Sequence, residues 1–122
     1  MKKATLVVLI SGNGSNLQAL IDAVEAKTMP AEILAVVSNT RDAYGLERTR
    51  KAGIPAVVKP KLKSQERETY DAELADIVLA YHPDLVILAG WMRILTLSFI
   101  KHFPGRIINL HPALPGTFAG TH

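Results

Sequence analysis

The sequence contains no cysteine, which excludes a disulfide framework within the chain and a thiolate metal site. It also contains no acidic residue after Asp84, although Arg93, Lys101 and Arg106 lie in that stretch. A histidine in that stretch therefore has no carboxylate nearby in sequence to orient it. No apolar stretch approaches the length needed to cross a bilayer, so we expect a cytoplasmic protein without membrane contact.

Hydrophobic residues make up 48% of the chain and charged residues 20%, as is typical of one globular domain over residues 1–122. More than half of the 14 Lys and Arg lie in one stretch: Arg41, Arg48, Arg50, Lys51, Lys59, Lys61, Lys63 and Arg67. The ordinary interpretation is a solvated helix face followed by a basic loop, and the alternative is attraction of an anionic small molecule. We expect no nucleic-acid partner, because Tyr44 is the only aromatic residue in this stretch.

Apolar runs typical of buried strands alternate with helical patterns along the chain. Strands are predicted at Ala4–Ile10, 33–37, 54–59, Leu85–Ala89 and Ile107–Leu110. Helices are predicted from Leu17, over 45–52, from Ser64 up to Pro83, and around 97–102. The alternation predicts an α/β fold, a Rossmann-like open parallel sheet with helices on both faces. Ligands of such sheets bind at the carboxyl ends of the strands.

A glycine-rich loop, Ser-Gly-Asn-Gly-Ser-Asn at 11–16, follows the first strand. Glycines let a backbone approach a ligand closely, and a helix start offers free N–H groups to a phosphate. We expect Ser15 or Asn16 to cap that helix. Leu17 replaces the third glycine of the dinucleotide fingerprint, and the second strand ends without the acidic residue that holds a ribose. A monophosphate therefore fits better, and an ordinary tight turn is the alternative.

Asn109 and His111 lie two residues apart at the end of the last predicted strand, so they point to the same face. A neutral hydrogen-bond donor beside a proton carrier suits the transfer of an acyl-type carbon. This pair is the strongest catalytic candidate. No metal site is expected, because the histidines are far apart in sequence.

Two further positions have an ordinary structural interpretation beside the functional one. Trp91 and Met92, after the fourth strand, either pack in the core or form the wall of a pocket for a flat ring. Arg67 either pairs with a neighbouring surface carboxylate, which is the more common arrangement, or binds the carboxylate of a ligand. The carboxylates near it in sequence are Glu66, Glu68 and Asp71.

Taken together, the segments 10–17, 38–39, 43–48, 88–95 and 108–114 closely resemble the phosphoribosylglycinamide formyltransferase family. The resemblance is collinear over essentially the whole chain. The Asn-x-His-Pro segment is shared with other folate formyltransferases and with formyl hydrolases. The glycine-rich loop narrows the choice to the glycinamide ribonucleotide enzyme or the formyltetrahydrofolate deformylase.

The resemblance implies transfer of a formyl group from 10-formyltetrahydrofolate to the amine of glycinamide ribonucleotide, in purine biosynthesis and without a metal. It also implies roles for individual residues. The loop that holds the phosphate matches Gly14, Ser15 and Asn16. The folate site matches Arg67, Met92, Arg93, Ile94, Leu95 and Asn109. Asn109 matches the residue that binds the formyl oxygen, and His111 matches the histidine that transfers a proton.

Members of this family are longer than this chain and carry, beyond position 122, an aspartate that pairs with the histidine. We therefore expect an incomplete, C-terminally truncated formyltransferase domain with impaired turnover. The deformylase and a noncatalytic phosphate-binding fragment are the alternatives. Dimerisation is a further expectation, because a truncated sheet exposes an edge strand and apolar surface.

Overall fold

Five strands and four helices alternate along residues 3–110, the part of the chain that the computed structural model describes. The strands are β1 (Ala4–Ile10), β2 (Ala31–Ser38), β3 (Ala56–Val58), β4 (Leu85–Ala89) and β5 (Ile107–Leu110). The helices are α1 (Ser15–Glu25), α2 (Tyr44–Lys51), α3 (Arg67–Leu79) and α4 (Leu97–Ile100).

All neighbouring strands pair in parallel, in the order β3-β2-β1-β4-β5. The chain therefore moves outward from β1 to β3, returns to the other side of β1 at β4, and continues outward to β5. The carboxyl ends of β1 and β4 meet where the direction of winding reverses, which is the position where open parallel sheets bind ligands.

Alternation along β1 divides the core into two layers. Leu6, Val8 and Ile10 belong to a buried cluster with residues of α1 and α2. Val7 and Leu9 belong to a second cluster with residues of α3 and α4. Helices thus cover both faces of the sheet, and the predicted Rossmann-like α/β fold is confirmed.

Several predicted boundaries need correction. Helix α1 begins at Ser15 and β2 at Ala31, each two residues earlier than predicted, while α3 ends at Leu79 and α4 at Ile100. The third helix begins at Arg67 instead of Ser64, because the preceding residues form a separate turn in which Gln65 N–H donates to Leu62 O over 3.1 Å. The third strand is shorter than the predicted range 54–59, because β2 pairs with it only from Val36 to Ser38.

At one edge of the sheet, β5 has a described neighbour only on its β4 side, and Ile108 is 43% exposed there. Dimerisation through an exposed edge stays a prediction. Within residues 3–110, no helix combines the length and the hydropathy that a membrane span requires.

Candidate active site

A cleft of about 360 Å³ lies at the carboxyl ends of β1, β4 and β5. One wall is the glycine-rich loop and the start of α1, at residues 12–16. The opposite wall consists of residues 89–92 after β4, together with Asn109 and Leu110 at the end of β5. Three segments that are distant in sequence therefore meet at the predicted edge of the sheet.

The start of α1 differs from the prediction that a side chain caps it. Gly14 is the N-cap residue, with a left-handed φ of 83°, and no side chain caps the helix. Ser15 and Asn16 therefore lie within the first turn of α1. The first N–H groups of a helix have no partner inside it, so this end offers donors to an anion.

Gly14 and Gly45 allow the loop to approach the start of α2 closely. A Cβ atom at Gly14 would lie 2.7 Å from Gly45 Cα, and a Cβ atom at Gly45 would collide with the side chain of Ile10. A side chain at Gly14 would therefore force the loop and α2 apart, because the atom it meets belongs to the backbone. The contact made by Gly45 was missed from the sequence, where the residue marks a helix start and belongs to the segment 43–48 that carries the family resemblance.

Arg48 in α2 is the second residue that sequence reasoning missed. Its Nε donates to Asn13 O over 2.9 Å, and its Nη2 donates to Asn13 Oδ1 over 2.7 Å. In the sequence it belongs to the basic stretch, which does not separate it from exposed neighbours such as Arg50, and to the segment 43–48 that carries the family resemblance without a role for Arg48. In the structure, Arg48 lies behind the loop and contacts it directly.

Trp91 and Met92 take different roles on the wall after β4. Trp91 is half-buried, packs against the core cluster of α3 and α4, and also lines the cleft. The Met92 side chain is 81% exposed, while its N–H donates to Ser11 Oγ over 2.9 Å. Trp91 thus fits both interpretations given for it, whereas Met92 is a surface residue of the cleft.

A second cavity of about 220 Å³ lies beside the cleft and is lined by Arg67, Met92, Arg93 and Ile94. Met92 lines both cavities, so they are adjacent. Arg67 forms no salt bridge with any residue in 3–110, so the surface ion pair considered for it is not formed there. Leu95 packs against the core and lines neither cavity.

The segment that carries Arg93 is held against α3. The Arg93 guanidinium lies 5.1 Å from the centre of the Tyr70 ring, and the Tyr70 hydroxyl donates to Lys59 O over 2.5 Å. Burial raises the pKa of Tyr70 to about 12; the charge of Arg93 acts in the opposite direction, and that of Asp71 adds to the rise. The neutral phenol is therefore the form that this arrangement favours.

Asn109 is exposed at the end of β5, opposite Leu88 of β4, and its position in the cleft puts it across from the loop. His111 lies outside the described residues. The shared orientation of Asn109 and His111 therefore stays a prediction. Within the described part of the chain, no group of three or more His, Asp or Glu is arranged to hold a metal ion.

Two buried nitrogen atoms near the cavities have no hydrogen-bond partner among the residues that the structure describes. They are Trp91 Nε1 and Arg93 Nε. An unsatisfied buried donor is costly, so these two atoms lack the compensation that buried polar groups usually have.

Comparison with known proteins gives one consistent family. A family model described as formyl transferase matches residues 4–122. The chain is 49% identical over 117 residues to the phosphoribosylglycinamide formyltransferase of Escherichia coli (strain K12), covering 96% of this chain and 55% of that protein. It is 48% identical over 130 residues to the enzyme of the same name from Dictyostelium discoideum, covering 96% of this chain and 63% of that protein.

Solved structures agree with this result. Glycinamide ribonucleotide transformylase 1 from Symbiobacterium toebii matches with a TM-score of 0.86 at 42% identity, covering 98% of this chain and 56% of that one. The phosphoribosylglycinamide formyltransferase from Coxiella burnetii matches with a TM-score of 0.85 at 43% identity, with the same coverage. The resemblance inferred from the sequence is confirmed, and the chain spans somewhat more than half the length of these relatives.

Proposed function

Because the chain belongs to the formyl transferase family, we propose that it takes part in formyl transfer from 10-formyltetrahydrofolate to the amine of glycinamide ribonucleotide. The observation that carries this proposal is the cleft, in which the loop, the segment after β4 and Asn109 face one another. The names of relatives from two kingdoms of life agree with this choice of acceptor.

The phosphate of the ribonucleotide binds, in this proposal, at the wall formed by Gly14, Ser15 and Asn16. The supporting observations are the left-handed backbone of Gly14 and the uncapped start of α1. Peptide N–H groups at a helix start attract an anion through hydrogen bonds and through the helix dipole. The amine end of the ribonucleotide then extends across the cleft towards Asn109.

The folate binds on the other side of Met92, where the second cavity begins. Met92 and Ile94 expose apolar side chains there, at 81% and 78%, and a flat heteroaromatic ring would cover them. Trp91 and Arg93 each also carry a buried nitrogen, Nε1 and Nε, that lacks a described protein partner. The exposed Arg67 lines the second cavity, and in this proposal it binds a carboxylate of the same molecule. These residues fit a folate.

In the reaction, the amine of the ribonucleotide forms a bond to the formyl carbon, and negative charge develops on the formyl oxygen. The Asn109 amide donates a hydrogen bond to that oxygen and stabilises the charge. Collapse of the intermediate breaks the bond to the folate nitrogen, which must receive a proton, while the attacking nitrogen, positively charged after bond formation, must release one. We assign this proton transfer to His111 on the family resemblance alone.

Separate titrations of this chain with glycinamide ribonucleotide and with a folate analogue test the proposal, since Trp91 is the only tryptophan and lines the cleft. We expect both ligands to change its fluorescence. Binding of the ribonucleotide alone would favour a noncatalytic phosphate-binding fragment. Release of formate without an amine acceptor would favour the deformylase.

The role of Asn109 is tested by Asn109→Ala in an assay of formyl transfer. Loss of one donor to a developing oxyanion lowers kcat by about a hundredfold or more. The matched control is Ile108→Val, because the neighbouring position on β5 faces away from Asn109. Equal rates in Asn109→Ala and the parent, each measurable above background, would remove Asn109 from the mechanism.

A further inference from the structure

The loop that lines the cleft is bonded to α2 through two successive carbonyl groups. Gly12 O accepts a hydrogen bond from Gly45 N–H over 3.1 Å. Asn13 O accepts one from Arg48 Nε over 2.9 Å. Both peptide planes of this turn are therefore held from the side of α2.

These bonds also fix the direction of two N–H groups. The C=O and N–H of one trans peptide point in opposite directions, and no described peptide bond of the chain is cis. The N–H groups of Asn13 and Gly14 therefore point away from α2. Neither Gly45 nor Arg48 lines the cleft, whereas Asn13 and Gly14 do, so the N–H groups that point away from Gly45 and Arg48 are the ones that the loop can present to the cleft. Successive N–H groups of this kind form an anion-binding concavity.

The Arg48 guanidinium is itself held by protein groups. Besides the two hydrogen bonds to Asn13, Arg48 Nη1 donates to Gln18 Oε1 over 3.3 Å. The guanidinium carbon, Cζ, lies 4.9 Å from the centre of the Tyr44 ring. The planar fork of the guanidinium supplies these bonds in directions that a lysine ammonium cannot reproduce. Its hydrogen bonds are directed at the loop and α1 instead of into the cleft.

We infer that Arg48 is a positioning residue for phosphate binding, which orients the Asn13 and Gly14 peptides and does not itself contact the phosphate. The inference rests on the proposed function, in which this loop binds the phosphate of a ribose phosphate. The inference attributes the effect of Arg48 on phosphate affinity to the geometry of its hydrogen bonds and not to its positive charge.

Variants Arg48→Lys and Arg48→Met test this separation in the 122-residue chain. The matched control is Arg50→Met, which removes the same charge from an exposed position of α2 that is paired only with Glu47 among the described residues. Ribose 5-phosphate affinity is measured by Trp91 fluorescence. The amide shifts of Asn13 and Gly14 are measured by NMR without ligand, and thermal melting verifies that each variant is folded.

We expect both Arg48 variants to bind ribose 5-phosphate roughly tenfold more weakly than the parent, because a charge-assisted bond to the loop is lost in each. Arg50→Met should bind as the parent does. The amide shifts of Asn13 and Gly14 should change in the Arg48 variants alone. An Arg48→Lys chain with parental affinity would overturn the inference in favour of a pure charge effect.

Unchanged amide shifts in both Arg48 variants would also overturn it, because the loop would then not depend on the guanidinium. A parent chain that binds no ribose 5-phosphate would overturn the proposed function and the ligand assigned here. Failure of the proposed function can be distinguished from failure of the role of Arg48. The amide shifts are measured without ligand, so they report the contact between Arg48 and the loop even if no ribose 5-phosphate binds.

Discussion

Ser11 and Met92 connect the two walls of the cleft through one hydrogen bond, which Met92 N–H donates to Ser11 Oγ over 2.9 Å. The backbone oxygen of Ser11 accepts a second bond, from Thr40 Oγ1 over 2.9 Å. Ser11 directly follows β1, while Thr40 and Met92 follow the strands on either side of β1. This serine therefore fixes the relative positions of three strand ends, and with them the width of the cleft.

The variant Ser11→Ala removes the acceptor of the Met92 N–H group. We expect the free energy of unfolding to fall by about 1 kcal/mol, as is typical for the loss of one hydrogen bond. Affinity for a folate analogue should fall several-fold more than affinity for ribose 5-phosphate, because the wall at Met92 is the one released. Urea unfolding and fluorescence titration measure the two effects, with the exposed Ser64→Ala as control. Equal losses for both ligands would mean that Ser11 acts only on overall stability.

Gly14→Ala should destabilise the chain by about 1–3 kcal/mol, because an L residue is strained at a left-handed φ and its Cβ would press against Gly45. Gly12→Ala is the matched control in the same loop, since a Cβ there meets no atom within 4 Å. Urea unfolding of the two variants gives the comparison. Similar midpoints for both would contradict the close contact between the loop and α2.

The sheet could be predicted from the sequence because each buried strand is a continuous apolar run, and such runs depend little on distant residues. The register between two strands could not be predicted in the same way, as the pair Leu6 and Ile33 shows. The register of β2 against β1 shifts after this pair, so that Val7 pairs with Ala35 and Leu34 is passed over. No local pattern marks that irregularity.

The candidate site was predictable where its residues lie at strand ends, as Asn109 and Met92 do. The parts that sequence reasoning missed depend on contacts between elements. Gly14 is the N-cap of α1 because it packs against Gly45, and Arg48 reaches the loop from another helix. The local rule for helix caps favoured Ser15 or Asn16, and it takes no account of the close approach of α2 to Gly14.

Asp71→Ala should lower the free energy of unfolding by about 2 kcal/mol, because a buried acceptor of two bonds is lost. Asp71 Oδ2 accepts from Thr96 N–H over 2.6 Å and from Thr96 Oγ1 over 2.8 Å, which joins α3 to the start of α4. Asp71→Asn keeps an acceptor and should lose less. The exposed Asp76→Ala on the same helix is the control. Chemical denaturation measures the unfolding free energy of all three variants. A loss no larger for Asp71→Ala than for Asp76→Ala would show that the hydrogen bonds between Asp71 and Thr96 do not stabilise the fold.

Tyr70 gives the chain a pH dependence at the alkaline end. Burial raises the pKa of its phenol from the ordinary 10.0 to about 12, so the fold favours the neutral form. The resulting stabilisation is fully present below pH 10, where the phenol is neutral in both the folded and the unfolded chain. It is lost as the pH rises from about 10 to about 12, because the unfolded chain ionises first.

The variant Tyr70→Phe isolates this effect, since phenylalanine keeps the ring and cannot ionise. As the pH increases from 10 to 12, the unfolding free energy of the parent should fall relative to that of Tyr70→Phe. The lysines contribute equally to both proteins, so their effect cancels in the difference. An ultraviolet titration should show a tyrosinate component near pH 12 that Tyr70→Phe removes and that Tyr44→Phe, changed at an exposed ring, retains. A difference that stays constant over this pH range would show that the Tyr70 phenol ionises equally well in the folded chain, and that burial does not raise its pKa.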